Sequence, residues 1–336
     1  MRSLVITIVH DCFCFFGQLF YNTTIMDENQ TVHTDLKKNG WWRWLPLSWH
    51  PYIYLSRLDR PIGSWLLVLP AWWSISLGAE NIKMLFFLGG LFTLGAIITR
   101  AGGCVINDFW DRKIDQNVAR TAERPLAAGT ISLRDAACFL LFLGIAGLII
   151  LLHLSPVAIY VDLAAIPLVV IYPLTKRFFW FPQAILGLTF SWGVLLGWTA
   201  SKNTFPDISV FLLYFGCSAW VFGYDTIYAI QDMEDDLISG IKSSAIFFAK
   251  RIKLAVATSY VTSIAFLTAS FYLIDKETDT INGFSWCGLL LMSIHLVYQV
   301  VQIQVDKPSK ALDLFQSNRD AGLILAACLI LSRLQN

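Results

Sequence analysis

Of the 24 acidic residues in this chain, eight fall in two short stretches: Asp108, Asp111 and Asp115, then Asp225, Asp232, Glu234, Asp235 and Asp236. At about 100° per residue on a helix, Asp108, Asp111 and Asp115 occupy one narrow face, and Asp225, Asp232 and Asp236 share another to within about 40°. Glu234 points nearly the opposite way. Carboxylates stacked on one face repel one another unless a cation sits among them. Solvated acidic loops would explain part of this pattern, but not Asp225. It follows the apolar run Trp220-Val221-Phe222-Gly223-Tyr224, where an ionisable group is costly and normally marks a substrate or ion path. Bases follow the first stretch at once, at Arg112, Lys113, Arg120 and Arg124. Hard oxygen ligands from two helices can hold Mg2+ and leave positions for phosphate oxygens, while Arg or Lys neutralises the rest of a diphosphate. A divalent-metal and diphosphate site is the chemistry that suits these residue types.

The elements that must position this chemistry are membrane helices. Hydrophobic residues make up 56% of the 336, charged residues only 15%, and the net charge is +1, which excludes a disordered chain, a nucleic-acid binder and an ordinary cytosolic enzyme. Apolar stretches long enough to cross the ~30 Å hydrocarbon core lie near 62–80, 84–106, 135–153, 155–174, 181–200, 207–230, 254–274, 281–302 and 320–334. The expected fold is an all-α, polytopic membrane bundle of about nine transmembrane helices. Eight spans plus a re-entrant segment is the alternative, because only Leu154, Ser155 and Pro156 separate the third and fourth. Nineteen Lys and Arg fall on one side of this topology against Lys83, Lys202, Lys276 and Arg333 on the other, so the N-terminus and both acidic stretches are placed on the cytoplasmic side. Seven cysteines show no disulfide framework or CxxC spacing, and Cys12 and Cys14 are read as incidental thiols.

Residues 1–40 are read as an extension to a membrane domain spanning 41–336. Leu4 to Phe20 is apolar but interrupted by His10 and Asp11, which makes a poor signal peptide. The acidic run Asp27-Glu28 after Met26 argues against a mitochondrial transit peptide, and Met26 is the expected start of translation.

At the acidic stretches a family resemblance becomes specific. Asn107-Asp108-Phe109-Trp110-Asp111-Arg112-Lys113-Ile114-Asp115 resembles the NDxxDxxxD motif of the UbiA superfamily of intramembrane prenyltransferases, and Asp232 to Asp236 is similar to its second, DxxxD-type motif. Further segments resemble the branch acting on 4-hydroxybenzoate: Arg57-Leu58-Asp59-Arg60-Pro61-Ile62-Gly63, Arg120-Thr121 with Arg124-Pro125-Leu126, Tyr172-Pro173 with Lys176-Arg177, and Tyr224-Asp225-Thr226. The resemblance covers about 50–330. It implies a nine-helix bundle with a central cavity open sideways to the lipid bilayer, and Mg2+-dependent transfer of a polyprenyl group from polyprenyl diphosphate to 4-hydroxybenzoate in ubiquinone biosynthesis. It further implies that Asp108, Asp111, Asp232 and Asp236 hold Mg2+, with Asn107 and Asp115 as further ligands. Lys113, Arg120, Arg124 and Lys176 are then the candidate diphosphate contacts, and Arg177 the candidate for the acceptor carboxylate.

Asp225 would lie about 10 Å deeper than Asp232 on a continuous helix, beyond the same metal, and is read as the partner of the acceptor's phenol. An Asp satisfied by a neighbouring helix, such as one offering Arg100, is the alternative. Asp59, between Arg57 and Arg60, is read as an ion-pair partner, and Gly193 with Gly197 as a site of close helix packing. A related acceptor (homogentisate, a naphthoate, haem or chlorophyllide) is the second reading within the enzyme class. A cation-coupled transporter, which would hold its carboxylates near the bilayer midplane, is the reading from another class. The expected location is a bacterial inner membrane, with a mitochondrial inner membrane as the alternative. No protein partner is implied.

Overall fold

A computed structural model of the chain describes residues 36–335 apart from Lys38, Ala119, Lys176 and Asp279. The expectations for Cys12, Cys14, Met26 and the rest of the N-terminal stretch therefore lie outside the described residues, as does that for Lys176. All regular structure among the described residues is helical. In chain order the helices used below are α1 (His50–Leu55), α2 (Ile62–Gly78), α3 (Ile82–Asp115), α4 (Leu133–Leu151), α5 (Pro156–Leu163), α6 (Ile166–Thr175), α7 (Pro182–Phe190), α8 (Trp192–Lys202), α9 (Ile208–Tyr228), α10 (Met233–Ser239), α11 (Ser244–Phe248), α12 (Ile252–Thr278), α13 (Gly283–Gln302), α14 (Pro308–Gln316) and α15 (Asn318–Gln335).

Seven helical segments among the described residues are long and apolar enough to cross a bilayer: α3, α4, Pro182–Lys202, α9, Ser244–Thr278, α13 and Pro308–Gln335. The other two expected spans are shorter apolar helices, Ile62–Gly78 and Pro156–Tyr172. All nine expected segments are thus helical, but only seven reach spanning length. The second short segment is broken between Leu163 and Ile166. Pro167 explains the break, since it offers no N–H and its ring excludes a helical carbonyl four residues back, at Leu163.

The chain forms two compact units. Of the described residues, one holds 36–60 with Cys104–Phe139, and the other holds Pro61–Gly103 with 140–335. In the larger unit, α9 packs on α12 and α7, α2 on α8 and α15, and α13 on α15. Its centre is a pair of buried indoles, Trp73 and Trp220, with ring centroids 5.1 Å apart. Each N–H is satisfied: Trp73 Nε1 donates to the Gly322 carbonyl at 3.0 Å and Trp220 Nε1 to Asn318 Oδ1 at 2.9 Å. Helices in lipid gain little from hydrophobic association, so close backbone approach and interhelical hydrogen bonds hold them. The Gly193/Gly197 spacing serves that purpose, because a Cβ there would meet Ala71 Cβ and the Ala71 carbonyl, each at 3.0 Å. Ser74, on the same face of α2, donates to the Val194 carbonyl at 2.6 Å.

In the smaller unit, 3-10 turns at Trp41–Trp44 and Leu47–Trp49 lead into α1. Trp42 is buried and donates to the Tyr54 hydroxyl at 3.2 Å, whereas Trp41, Trp44 and Trp49 are exposed, as befits indoles at a membrane interface.

Candidate active site

The first acidic stretch ends a helix of 34 residues, about 51 Å long, which is far more than the hydrocarbon core requires. Its carboxylates stand at the wrong end of that helix. The C-terminal end carries the negative pole of the macrodipole, so Asp108, Asp111 and Asp115 need positive charge close by. All three are buried. Arg57 Nη2 donates to Asp108 Oδ1 at 2.6 Å. Arg124 Nη1 lies 3.1 and 3.2 Å from the two oxygens of Asp115 and 3.7 Å from Asp108 Oδ1. The loop carrying Arg124 is tied down by Arg112 Nε on the Leu126 carbonyl at 3.1 Å, by Gln116 Nε2 on the Ala127 carbonyl at 3.1 Å, and by the Thr121 hydroxyl on the Asp115 carbonyl at 3.2 Å. Lys113 is exposed, while Asn107 and Arg120 are half-buried.

Arg57 was visible in the sequence only as part of a motif. The structure gives it a specific role: it adopts the left-handed backbone region at φ 58°, and its second amino group donates to the Tyr54 carbonyl at 2.7 Å. A non-glycine residue in that region is strained, so the ion pair and this hydrogen bond must hold it there. The neighbouring Asp59 is buried and accepts from the Lys37 amide at 3.2 Å, with Arg60 Nε at 3.9 Å, in keeping with the ion-pair reading. Burial pushes its carboxyl above the ordinary carboxylate range, against the opposing pull of Arg60, the Lys37 amide and Arg57.

The second stretch departs from the continuous helix expected. α9 ends at Tyr228 and α10 begins at Met233. The segment between is tightened by i→i−3 bonds, from Ile230 to Ile227, Gln231 to Tyr228 and Asp232 to Ala229. The single face calculated for Asp225, Asp232 and Asp236, and the 10 Å rise along it, therefore do not hold. Asp232 instead stands at the N-cap position of α10 without a side-chain capping bond, and the Asp236 amide donates to its carbonyl at 2.8 Å. Both side chains are half-buried. The helix stops at Gly240, which takes the left-handed conformation a glycine adopts freely, and the Ile241 amide returns to the Asp236 carbonyl at 2.9 Å. The Glu234 side chain lies outside the described residues.

Asp225 stays in α9, half-buried, where the charges acting on it are Asp232 and Arg100. Arg100 thereby gains a setting that its sequence context did not supply. Its guanidinium faces the Phe190 ring at 5.8 Å, and a Cβ on Gly63 would sit 2.6 Å from its Nε, so any larger residue there would make the arginine shift. Arg177 is exposed just beyond α6, its amide donating to the Leu174 carbonyl at 3.1 Å.

The donor set suits a hard cation: carboxylate oxygens, with Asp108 Oδ2 buried and without a hydrogen-bond partner among the described residues. No three of His, Cys, Asp and Glu among those residues stand close enough to form a ready-made metal cage. In the first stretch Arg57 engages the other oxygen of Asp108, and Arg124 engages both oxygens of Asp115.

The sequence matches the UbiA prenyltransferase family over residues 67–321. It is 42% identical over 287 residues to the mitochondrial 4-hydroxybenzoate polyprenyltransferase of Aedes aegypti, covering 85% of this chain and 64% of that protein. The Homo sapiens protein of the same name is 39% identical over 290 residues, with 86% and 77% covered. The fold is similar to the apo structure of a UbiA homologue from Aeropyrum pernix K1, with a TM-score of 0.63 at 21% identity over 80% of this chain and 97% of that one. It is also similar to a UbiA homologue from Archaeoglobus fulgidus bound to DMAPP and Mg2+, with a TM-score of 0.61 at 16% identity over 85% and 98%. The chain therefore belongs to the UbiA prenyltransferase family.

Proposed function

We propose that this protein transfers a polyprenyl group from polyprenyl diphosphate to the ring carbon ortho to the phenol of 4-hydroxybenzoate, releasing diphosphate, as a step of ubiquinone biosynthesis. The observation that carries this reading is the pair of acidic stretches, with their attendant bases, inside the segment shared with relatives that bear that activity in their names. Asp108 and Asp111 from the first stretch and Asp232 and Asp236 from the second are the metal ligands in this proposal, with Asn107 and Asp115 in support. Bound Mg2+ would supply Lewis-acid charge to the diphosphate oxygens and ease departure of the leaving group.

The chain's own residues do the rest. Arg120, Lys113 and Lys176 neutralise the diphosphate, and Arg124, already beside Asp108 and Asp115, adds charge at the same place. As the carbon–oxygen bond to diphosphate breaks, an allylic cation forms, and apolar, aromatic surroundings keep water from it. The acceptor ring carbon forms the new bond and loses its proton. Arg177 holds the acceptor carboxylate, and Asp225 accepts the phenol's hydrogen bond, with Arg100 as the compensating cation nearby.

Both stretches lie at or just beyond helix ends, which favours an anionic head group at the membrane face over a transporter's midplane cation. The mitochondrial relatives favour a mitochondrial inner membrane over a bacterial one. In Asp225→Asn, Mg2+-dependent binding of prenyl diphosphate should persist while prenylation of 4-hydroxybenzoate is lost. If donor binding disappears instead, or prenylation continues, the phenol role fails.

A further inference from the structure

In the larger unit, a groove with a volume of about 850 Å3 runs between α7, α9, α11 and the first turns of α12. Small side chains, Ala184, Ala219 and Ala255, line it together with Phe222, Phe247 and Phe248. Four hydroxyls also line it, but each donates to a backbone carbonyl. Ser218 bonds Tyr214 at 2.8 Å, Ser259 bonds Ala219 at 2.6 Å, Thr258 bonds Leu254 at 2.9 Å and Thr262 bonds Thr258 at 2.9 Å. With those protons committed to the helices, the groove offers hydrocarbon rather than donors, which suits an apolar chain and not a polar solute.

One end is different. Arg251 lines the groove there and is exposed, with Lys250 exposed beside it, and neither is held in an ion pair among the described residues. The chain reaches this point through Ala249, whose φ of 43° turns it between α11 and α12. From Arg251 to Thr262 the groove follows α12 for eleven residues, a rise of about 16 Å. An amphiphile with an anionic head matches both ends of this feature, since charge complementarity fixes the head and the apolar trough takes a tail. The acidic stretches contribute no residue to its lining.

We propose that this groove binds one anionic phospholipid of the surrounding bilayer, with its phosphate on Arg251 and an acyl chain along α12. The test is native mass spectrometry of the full chain released from nanodiscs of equal phosphatidylglycerol and phosphatidylcholine. The wild type should retain one phosphatidylglycerol, at least 5-fold in preference to phosphatidylcholine. Arg251→Gln should abolish the preference, and Ala255→Phe, which fills the trough, should abolish retention of either lipid. Ala184→Phe fills it from the α7 side and serves if Ala255→Phe does not fold. Equal retention of the two lipids by the wild type, a preference that survives Arg251→Gln, or retention unchanged in a folded groove-filling variant would overturn the proposal. So would displacement of the retained lipid, mole for mole, by farnesyl diphosphate, which would make the groove a donor site.

Discussion

The two acidic stretches carry similar residues and are held in opposite ways. Asp108, Asp111 and Asp115 are buried at the C-terminal end of a 34-residue helix, where the macrodipole opposes them and guanidinium groups from Arg57 and Arg124 offset the cost. Asp232 and Asp236 are half-buried just before and midway along a seven-residue helix, and Asp232 stands at its N-terminal end, where the macrodipole favours negative charge. The first stretch is thus part of the protein's internal ion-pair structure as well as a candidate ligand set. The second sits on a seven-residue helix, with both of its ligand candidates half-buried.

The largest effect that separates the two is on stability. Asp108→Ala leaves Arg57 with its partner removed in a buried setting and should cost about 3 kcal/mol. Asp236→Ala, at a half-buried side chain on a seven-residue helix, should cost less than Asp108→Ala. Denaturant titration in detergent micelles measures both, and similar losses would show that the two stretches contribute equally to the fold.

A second effect separates recognition of the acceptor from recognition of the metal and diphosphate. Arg177→Ala removes a charge-assisted hydrogen bond of about 1.5–3 kcal/mol from one substrate only. It should raise the KM for 4-hydroxybenzoate roughly 10- to 150-fold and change that for prenyl diphosphate far less. A rise confined to the donor would assign Arg177 to the diphosphate instead.

The smallest effect concerns the strain at Arg57. Both Arg57→Ala and Arg57→Gly lose the ion pair to Asp108, but only alanine must still adopt a φ of 58°. Arg57→Gly should therefore be the more stable of the two by about 1 kcal/mol, read as the difference in their unfolding free energies. Equal stabilities would show that the backbone relaxes once the ion pair is gone.

How much of this was legible in the sequence depended on the range of the cause. Apolar runs announced the spanning helices, and Pro167 carried the signal for the break that shortens one of them. Gly193 and Gly197 announced close packing, which Ala71 supplies. The interruption after Tyr228 had no such signal. The segment from Ile227 to Asp236 contains neither glycine nor proline, so a continuous helical face was a fair expectation and an incorrect one. Arg57 and Asp108 are 51 residues apart, and nothing local marks them as partners. Arg100 likewise meets Phe190 and Gly63 through tertiary packing alone.

In the proposed function both acidic stretches serve one Mg2+-dependent ionisation, the first held by buried ion pairs and the second on a short helix. That claim is tested most directly by release of pyrophosphate from polyprenyl diphosphate with 4-hydroxybenzoate across a Mg2+ titration, in the wild type and in folded Asp111→Ala, Asp232→Ala and Asp236→Ala. Release should require Mg2+ and fall at least ~100-fold in each variant, as expected when metal-held charge stabilises the leaving group. Near-normal release by Asp232→Ala and Asp236→Ala at limiting Mg2+ would contradict the claim and leave the second stretch outside the site.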